Sequence, residues 1–437
     1  VNSLNVHPDA RLGQQMHDWM KDLFPICRSI TGPGVRETLA YFRRLIPAMK
    51  IHAVPSGTPA FDWTVPDEWL IRGGFLEHED GTRIVDFADH NLHVVGYSEP
   101  VDGWFALKEL EPHLYSLPEQ PDAIPYVTSY YRRHWGFCLP HRKRQTMKPG
   151  RYRAVIDSTL APGELNYGEI VIPGQSDREI FLSTYICHPS MANNELSGPV
   201  VAAALAQWLM TLKERRYTYR IVFIPETIGA IVYLSKHLAH LKAKTDAGFV
   251  LTCLGDERTF SYLSSRLDNT LADRVARHVL DHLAPGYRKY SYLARGSDER
   301  QYCAPGVDLP VCLVMRSMFG EYPEYHTSLD NLDFVTPDGL AGGYKALRTC
   351  IEVLEANRVY RATVIGEPQL GKRNLYPNVS RHGSYGEDTR LLKDTLAYCD
   401  GKHDLIALAG RIGRPAWVVA EACERLRAAG LLAIDGG

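Results

Sequence analysis

The chain has 437 residues, 45% of them apolar and 23% charged, with a net charge of −2. This is the balance of a folded protein of two or three domains, and it gives no overall attraction to nucleic acid or to an anionic membrane surface. No apolar run approaches the roughly 20 residues that span a bilayer. The opening VNSLNVHPDARLGQQ lacks a signal-peptide core, and the nine cysteines are scattered without a CxxC pair, so a reducing, cytoplasmic setting is expected.

In chain order, helical periodicity covers residues 9–25 and 34–47, joined by the turn-forming RSITGPG. From about Val54 the texture changes to short aromatic and β-branched runs between turn signals, with Gly73-Gly74 and Asp80-Gly81 predicting hairpins. Residues 54–155 are therefore expected to form an inserted, mostly-β domain. From about Asn166, strands near 168–173, 179–187, 219–225, 248–254 and 309–316 alternate with helices near 198–213, 230–241, 268–283 and 337–356. That alternation predicts an α/β fold, with a mostly parallel sheet covered by helices on both faces, built from residues 1–53 and 156–380. Residues 385–437 hold three short helices and a strand-like tail, the pattern of a winged helix-turn-helix.

The chemistry concentrates at strand ends. The run Phe181–Cys187 stops at His188, a polar loop carries Asn193, Asn194 and Glu195, and Ser197-Gly198 opens an apolar helix. YRIVFIPE ends on Glu226, GFVLTCLGD on Asp256, and LPVCLVMR leads through MFGEYPEY to His326. Ligands and catalytic groups collect at the carboxyl ends of parallel strands, and neutral imidazole with carboxylate is a donor mix zinc accepts. Each residue taken alone also reads as a cap or a solvated loop end. Glu195 in particular is either a metal ligand or a carboxylate complementing a helix N-terminus.

The strand-end His188, the LSG helix start, PETIGA, LGDE, GSDE and YHTSLDNLD together resemble the zinc aminopeptidase family with a co-catalytic metal pair. The similarity is greater to bacterial aminopeptidase-like proteins that carry an inserted β domain and a C-terminal winged helix and are associated with polysaccharide biosynthesis. The resemblance implies that His188 and His326 are metal histidines, Asp256 a metal carboxylate and Glu226 the general base. It places the bridging aspartate at Asn194 and the second metal glutamate at Thr227, so two expected carboxylates are replaced. One zinc ion held by a subset of His188, Glu195, Asp256 and His326 is the resulting expectation, with Glu195 able to take the bridging position. The loop ARGSDERQY brings Asp298 and Glu299 near the site, as substrate contacts or as a solvated loop.

In YYRRHWGFCLPHRKRQTMKPGRYR (130–153), Arg132, Arg133 and Arg142 sit among tyrosines and tryptophan. The segment is either a solvated basic face or a recognition surface for an anionic group, with Arg132 and Arg133 as substrate-binding candidates. In residues 389–437, seven Lys/Arg against six Asp/Glu give no strong basic stripe for DNA. A packing or oligomerisation role is the expectation for this module. Together these readings predict a metal-dependent aminopeptidase-like hydrolase that cleaves an amide bond of a small peptide or aminoacyl compound. The rivals are an amidase or deacylase of a small biosynthetic intermediate, a ligand-sensing regulator, and an inactive scaffold.

Overall fold

The computed structural model describes residues 10–375 and 386–434; the parts of the expected domains at 1–9, 376–385 and 435–437 lie outside the described residues. An eight-stranded sheet organises the molecule. Its order is Lys50–Pro55, Glu164–Ile172, Thr218–Ile224, Glu179–Tyr185, Thr245–Leu251, Val311–Met315, Ser261–Leu263 and Arg288–Tyr290. The third to sixth strands in that order pair parallel, and antiparallel partners flank this group on both sides. Every residue of Glu179–Tyr185 and Val311–Met315 is buried, which is why these strands read as continuous apolar runs rather than alternating ones.

Successive side chains of a strand point to opposite faces, and the core divides accordingly. Ile180, Leu182, Phe249 and Leu251 pack into a layer with the helices Ala10–Leu23, Pro33–Leu45, Ser197–Thr211, Leu271–Leu283 and Pro337–Ala356. Phe181 and Val250 pack into the other layer, with the helix Ile228–Lys244. Helix boundaries follow local chemistry: Thr336 accepts from the Gly339 amide and Pro337 occupies the first turn, a strong start signal. Among the described residues no helix is long and apolar enough to cross a membrane.

The inserted segment forms a four-stranded antiparallel sheet in the order Arg83–Asp86, Glu68–His78, Arg151–Ala161 and Val101–Ala106. The strand Arg151–Ala161 continues past residue 155, the expected end of the insertion. Asp80-Gly81 makes its hairpin, with Gly81 at φ 85. Gly73-Gly74 does not turn; it lies inside the strand Glu68–His78, next to a register shift. A Cβ on Gly74 would stand 3.0 Å from both Val155 O and Val94 Cγ2, so this glycine serves close packing within a strand rather than a turn.

A second part of the insertion reaches the main sheet. Pro125 bridges to Thr327, the Tyr126 amide donates to His326 O at 2.9 Å, and the Ser328 amide donates to Ile124 O at 2.9 Å. The C-terminal helices Glu387–Tyr398, Leu405–Ile412 and Ala416–Ala428 stand with a three-stranded sheet ordered Asp400–Asp404, Val359–Ala362 and Leu432–Ile434. Leu405, Leu408 and Leu426 share one apolar cluster with Leu347 and Ile351 of the helix Pro337–Ala356. The Ala416 amide donates to His278 Nε2 at 2.8 Å, and Arg274 pairs with Asp404 at 2.6 Å. The winged helix is thus packed onto the α/β unit.

Candidate metal centre

Tyr185 and Ile224 face one another in the register of two parallel strands. The chain leaving the first strand reaches His188 and the chain leaving the second reaches Glu226, so strand pairing sets both side chains at the same edge of the sheet. After His188 the residues Ala192–Leu196 form a π-helical turn that runs into the helix Ser197–Thr211; such turns recur at functional sites. The turn is fixed from below, because Asp330 accepts from the amides of Asn193 and Asn194 at 2.5 and 2.9 Å. Four non-glycine residues around it, Ser190, Thr227, Cys253 and His326, have positive φ, a costly conformation that tertiary contacts must hold.

His188 has two distinct sides. Its Nδ1 lies 2.6 Å from Glu195 Oε2, and Glu195 Oε1 lies 3.8 Å from Arg28 Nε. Its Nε2 faces Glu226 Oε2 at 3.6 Å. The His188 and His326 rings are 5.4 Å apart, and the Tyr126 ring from the insertion packs against both, at 5.1 and 5.2 Å. The Tyr126 hydroxyl bonds to Tyr130 at 2.7 Å. The structure therefore brings together His188, Glu195, Glu226 and His326.

Asp256, expected in the same group, has its oxygens taken by other donors: the Ser317 hydroxyl and Arg258 amide on Oδ1, the Ser317 amide and Asn193 Nδ2 on Oδ2. Asp298 is buried beside Glu226; its Oδ1 accepts from the Thr227 amide at 2.7 Å and its Oδ2 has no partner. Asn194 donates from Nδ2 to the Tyr185 hydroxyl at 2.9 Å, leaving a buried Oδ1 without a partner. Arg132 and Arg133 are exposed on the insertion. Arg133 pairs with Glu99 at 3.5 Å and Asp67 at 3.8 Å, and Arg142 with Asp122 at 2.8 Å. No ion pair joins the Arg132 guanidinium to another described residue.

Burial dominates the electrostatics. It lowers His188 and His326 to about 3, so both imidazoles are neutral and able to donate a lone pair. It raises Glu226 well above the ordinary carboxylate range, with the charge of Asp298 adding to the effect. Asp298 is raised to about 7 and Glu195 to about 8, in each case by burial. Four carboxylates, Glu195, Glu226, Asp298 and Glu299, face two guanidiniums, Arg28 and Arg300. This carboxylate excess, the neutral imidazoles and the unpartnered oxygens of Asn194, Asp298 and Glu299 fit a divalent cation. Cys187, His188 and Glu195 also offer donor atoms within 4.8 Å of one another, but the Arg28 charge already stands on that side.

Two participants escape sequence reading. Arg28 belongs to a turn whose composition signals only a turn, and Tyr126 to an insertion whose approach to the sheet is a long-range event. The only local hint of Tyr126 is its place just before the aromatic segment that starts at Tyr130.

Comparison with known proteins finds similarity along nearly the whole chain. Residues 17–357 match the family model "Domain of unknown function (DUF4910)", and residues 358–434 match a winged helix-turn-helix model. The chain is 42% identical over 409 residues, 93% of each chain, to a Clostridium acetobutylicum protein named as a candidate polysaccharide biosynthesis protein with aminopeptidase-like domain. A solved structure of a candidate peptidase from Clostridium acetobutylicum superposes with a TM-score of 0.91 at 40% identity, covering 97% of both chains. A zinc aminopeptidase from Bacillus subtilis superposes with a TM-score of 0.56 at 10% identity, over 79% of this chain and 95% of that one, a likeness of fold. The chain belongs to the DUF4910 family, with an aminopeptidase-like α/β unit followed by a winged helix.

Proposed function

We propose that this protein is a metal-dependent hydrolase that cleaves an amide bond of a small peptide or aminoacyl compound. The observation that supports this most is the convergence of His188 Nε2, Glu226 and His326 at the carboxyl ends of parallel strands, within a carboxylate excess. One zinc ion per chain is assigned to His188 and His326, with Asn194 Oδ1 as the third donor. Glu195 is assigned to orienting His188, and Asp256 to holding the Asn193 and Ser317 loops together. A bound zinc supplies a Lewis acid that polarises a carbonyl and acidifies water.

The protein's own groups supply the rest. Glu226 retains 20% side-chain exposure, so it can meet a water molecule, take its proton and pass it to the leaving amine. Asp298, with Oδ2 free, is assigned to the substrate's amine. Tyr126 and the segment paired to the His326 loop close the site from above and exclude long substrates.

Elemental analysis of purified protein, paired with a hydrolysis screen on aminoacyl p-nitroanilides and N-acyl amino sugars, tests this reading. Metal with turnover is expected; metal without turnover on either class rules out a hydrolase of this type. The roof built by residues 124–128 also favours a second reading, an amidase or deacylase of a small biosynthetic intermediate, in keeping with the name of the Clostridium relative. Faster turnover of the N-acyl sugars than of the anilides would select it. The winged helix is assigned a packing role, since Arg414 pairs with Glu387 at 2.8 Å, Arg425 with Asp388 at 2.5 Å and Arg427 with Glu424 at 2.7 Å.

A further inference from the structure

Arg28 is wholly buried, and so is Glu195. Arg28 lies in the turn between the helices Ala10–Leu23 and Pro33–Leu45. Its Nη1 donates to Leu23 O at 2.7 Å, satisfying a carbonyl at the end of the first helix. Its Nε donates to the backbone oxygen of His188 at 3.0 Å and lies 3.8 Å from Glu195 Oε1. The turn is built for this approach: a Cβ on Gly34 would fall 2.1 Å from Cys27 O, so only glycine lets the second helix start so near Arg28.

A guanidinium keeps its charge in a protein, and a buried charge needs a partner. Glu195 is the carboxylate in reach. Its other oxygen, Oε2, meets His188 Nδ1 at 2.6 Å. Once ionised, as it is when a cation is bound or the pH exceeds about 8, Glu195 is an acceptor only and requires the imidazole hydrogen on Nδ1, and the lone pair then sits on Nε2, facing Glu226 and His326. The Arg28 charge also disfavours a dication on the Nδ1 side. Outer partners of metal-binding histidines fix ring and tautomer in this way. Arginine suits the place better than lysine, because its planar fork donates to Leu23 O and His188 O at once while its charge stands 3.8 Å from Glu195 Oε1.

We propose that Arg28 is a positioning residue which, through Glu195, fixes the Nδ1-protonated tautomer and ring orientation of His188 and so aims its Nε2 lone pair at the ion site. The proposal rests on the reading that His188 holds the ion.

The test uses the full chain and zinc alone, with affinity read by competition against a chelating dye. In the metal-free protein, at a pH above the value of about 8 to which burial raises Glu195, the ¹⁵N spectrum of labelled histidine reports the tautomer. Wild-type protein should show His188 protonated on Nδ1. Arg28→Met should weaken zinc about 10- to 100-fold and mix the tautomers, and Arg28→Lys should recover part of the loss. Glu195→Gln keeps the volume and should weaken zinc in the same direction. Because the two residues act in series, the double variant should lose less than the product of the single losses. If Arg28→Met does not fold, Arg28→Lys and Glu195→Gln carry the same test. Zinc affinity within twofold of wild type in the folded variants, or Nε2-protonated His188 in the wild type, overturns the proposal. Wild-type protein that binds no zinc overturns the underlying reading of the site as well.

Discussion

Glu226 Oε2 stands 3.6 Å from His188 Nε2, although the two residues end different strands. Parallel pairing of Tyr185 with Ile224 produces this meeting, and with it an imidazole nitrogen and a carboxyl group facing one small space. A general base that moves a proton in the transition state is worth roughly 10²–10⁴ in rate. Glu226→Gln keeps the shape and removes the basicity. Near-normal zinc content and folding are expected, with turnover lowered by at least about two orders of magnitude. Wild-type turnover would move the base elsewhere, and loss of zinc would make Glu226 a ligand.

His188→Ala and His326→Ala should each strip zinc in chelator competition, because a small donor set loses most of its affinity with one member. Retained occupancy in either variant removes that residue from the set.

Asn194 occupies the place where a bridging carboxylate is expected by resemblance, and its buried Oδ1 has no partner. A neutral amide oxygen attracts a dication less than a carboxylate does. Asn194→Asp should therefore bind zinc more tightly, by about tenfold or more for a gain of about 1.4 kcal/mol, and elemental analysis should show whether a second ion enters. Unchanged affinity would show that Oδ1 faces away from the ion.

The pH dependence of stability has two arms. Asp298 and Glu195 are raised by burial to about 7 and about 8. As groups with raised folded pKa values, they favour the folded state most below the ordinary carboxylate range, and that contribution is lost as pH rises through about 7 to 8. His188 and His326, lowered by burial to about 3, contribute stability above the ordinary histidine value that is lost as pH falls towards 3. Glu226, raised in the same direction, makes three carboxylates against two imidazoles, so the melting temperature of the metal-free protein should be highest at about pH 4–5 and fall on either side. Added zinc should raise it more at pH 8 than at pH 6, since metal binding and carboxylate ionisation favour one another. A zinc shift that shrinks with rising pH contradicts this.

Arg133 and Arg142 already have carboxylate partners. If an anionic substrate group meets the insertion, Arg132→Gln should raise KM with little change in kcat, while Arg142→Gln leaves both unaltered. Equal effects of the two substitutions would point to surface charge as a whole.

The sequence alone determined five of the eight strands of the main sheet, missing Lys50–Pro55, Ser261–Leu263 and Arg288–Tyr290, and the first half of the site. Unbroken apolar runs ending on His188 and Glu226 identify buried parallel strands, and in such a sheet the carboxyl ends gather chemistry whatever the loops do. The winged-helix helices were legible from their periodicity. The strands Val359–Ala362 and Asp400–Asp404 that complete its sheet were not, because short strands get their identity from partners rather than from pattern. Tertiary structure decided what each polar residue faces. Asp256 looks like a strand-end ligand, yet Ser317, Arg258 and Asn193 occupy its oxygens. Glu195 stood between ligand and cap, and it is a buried partner of His188 and Arg28. Arg28 and Tyr126 enter from segments distant in the chain, and Gly73-Gly74, a turn signal in isolation, lies within a strand. The reason is common to all of these. Periodicity reports which side of an element is buried, but a hydrogen bond or ion pair depends on which partner long-range packing brings within about 3 Å.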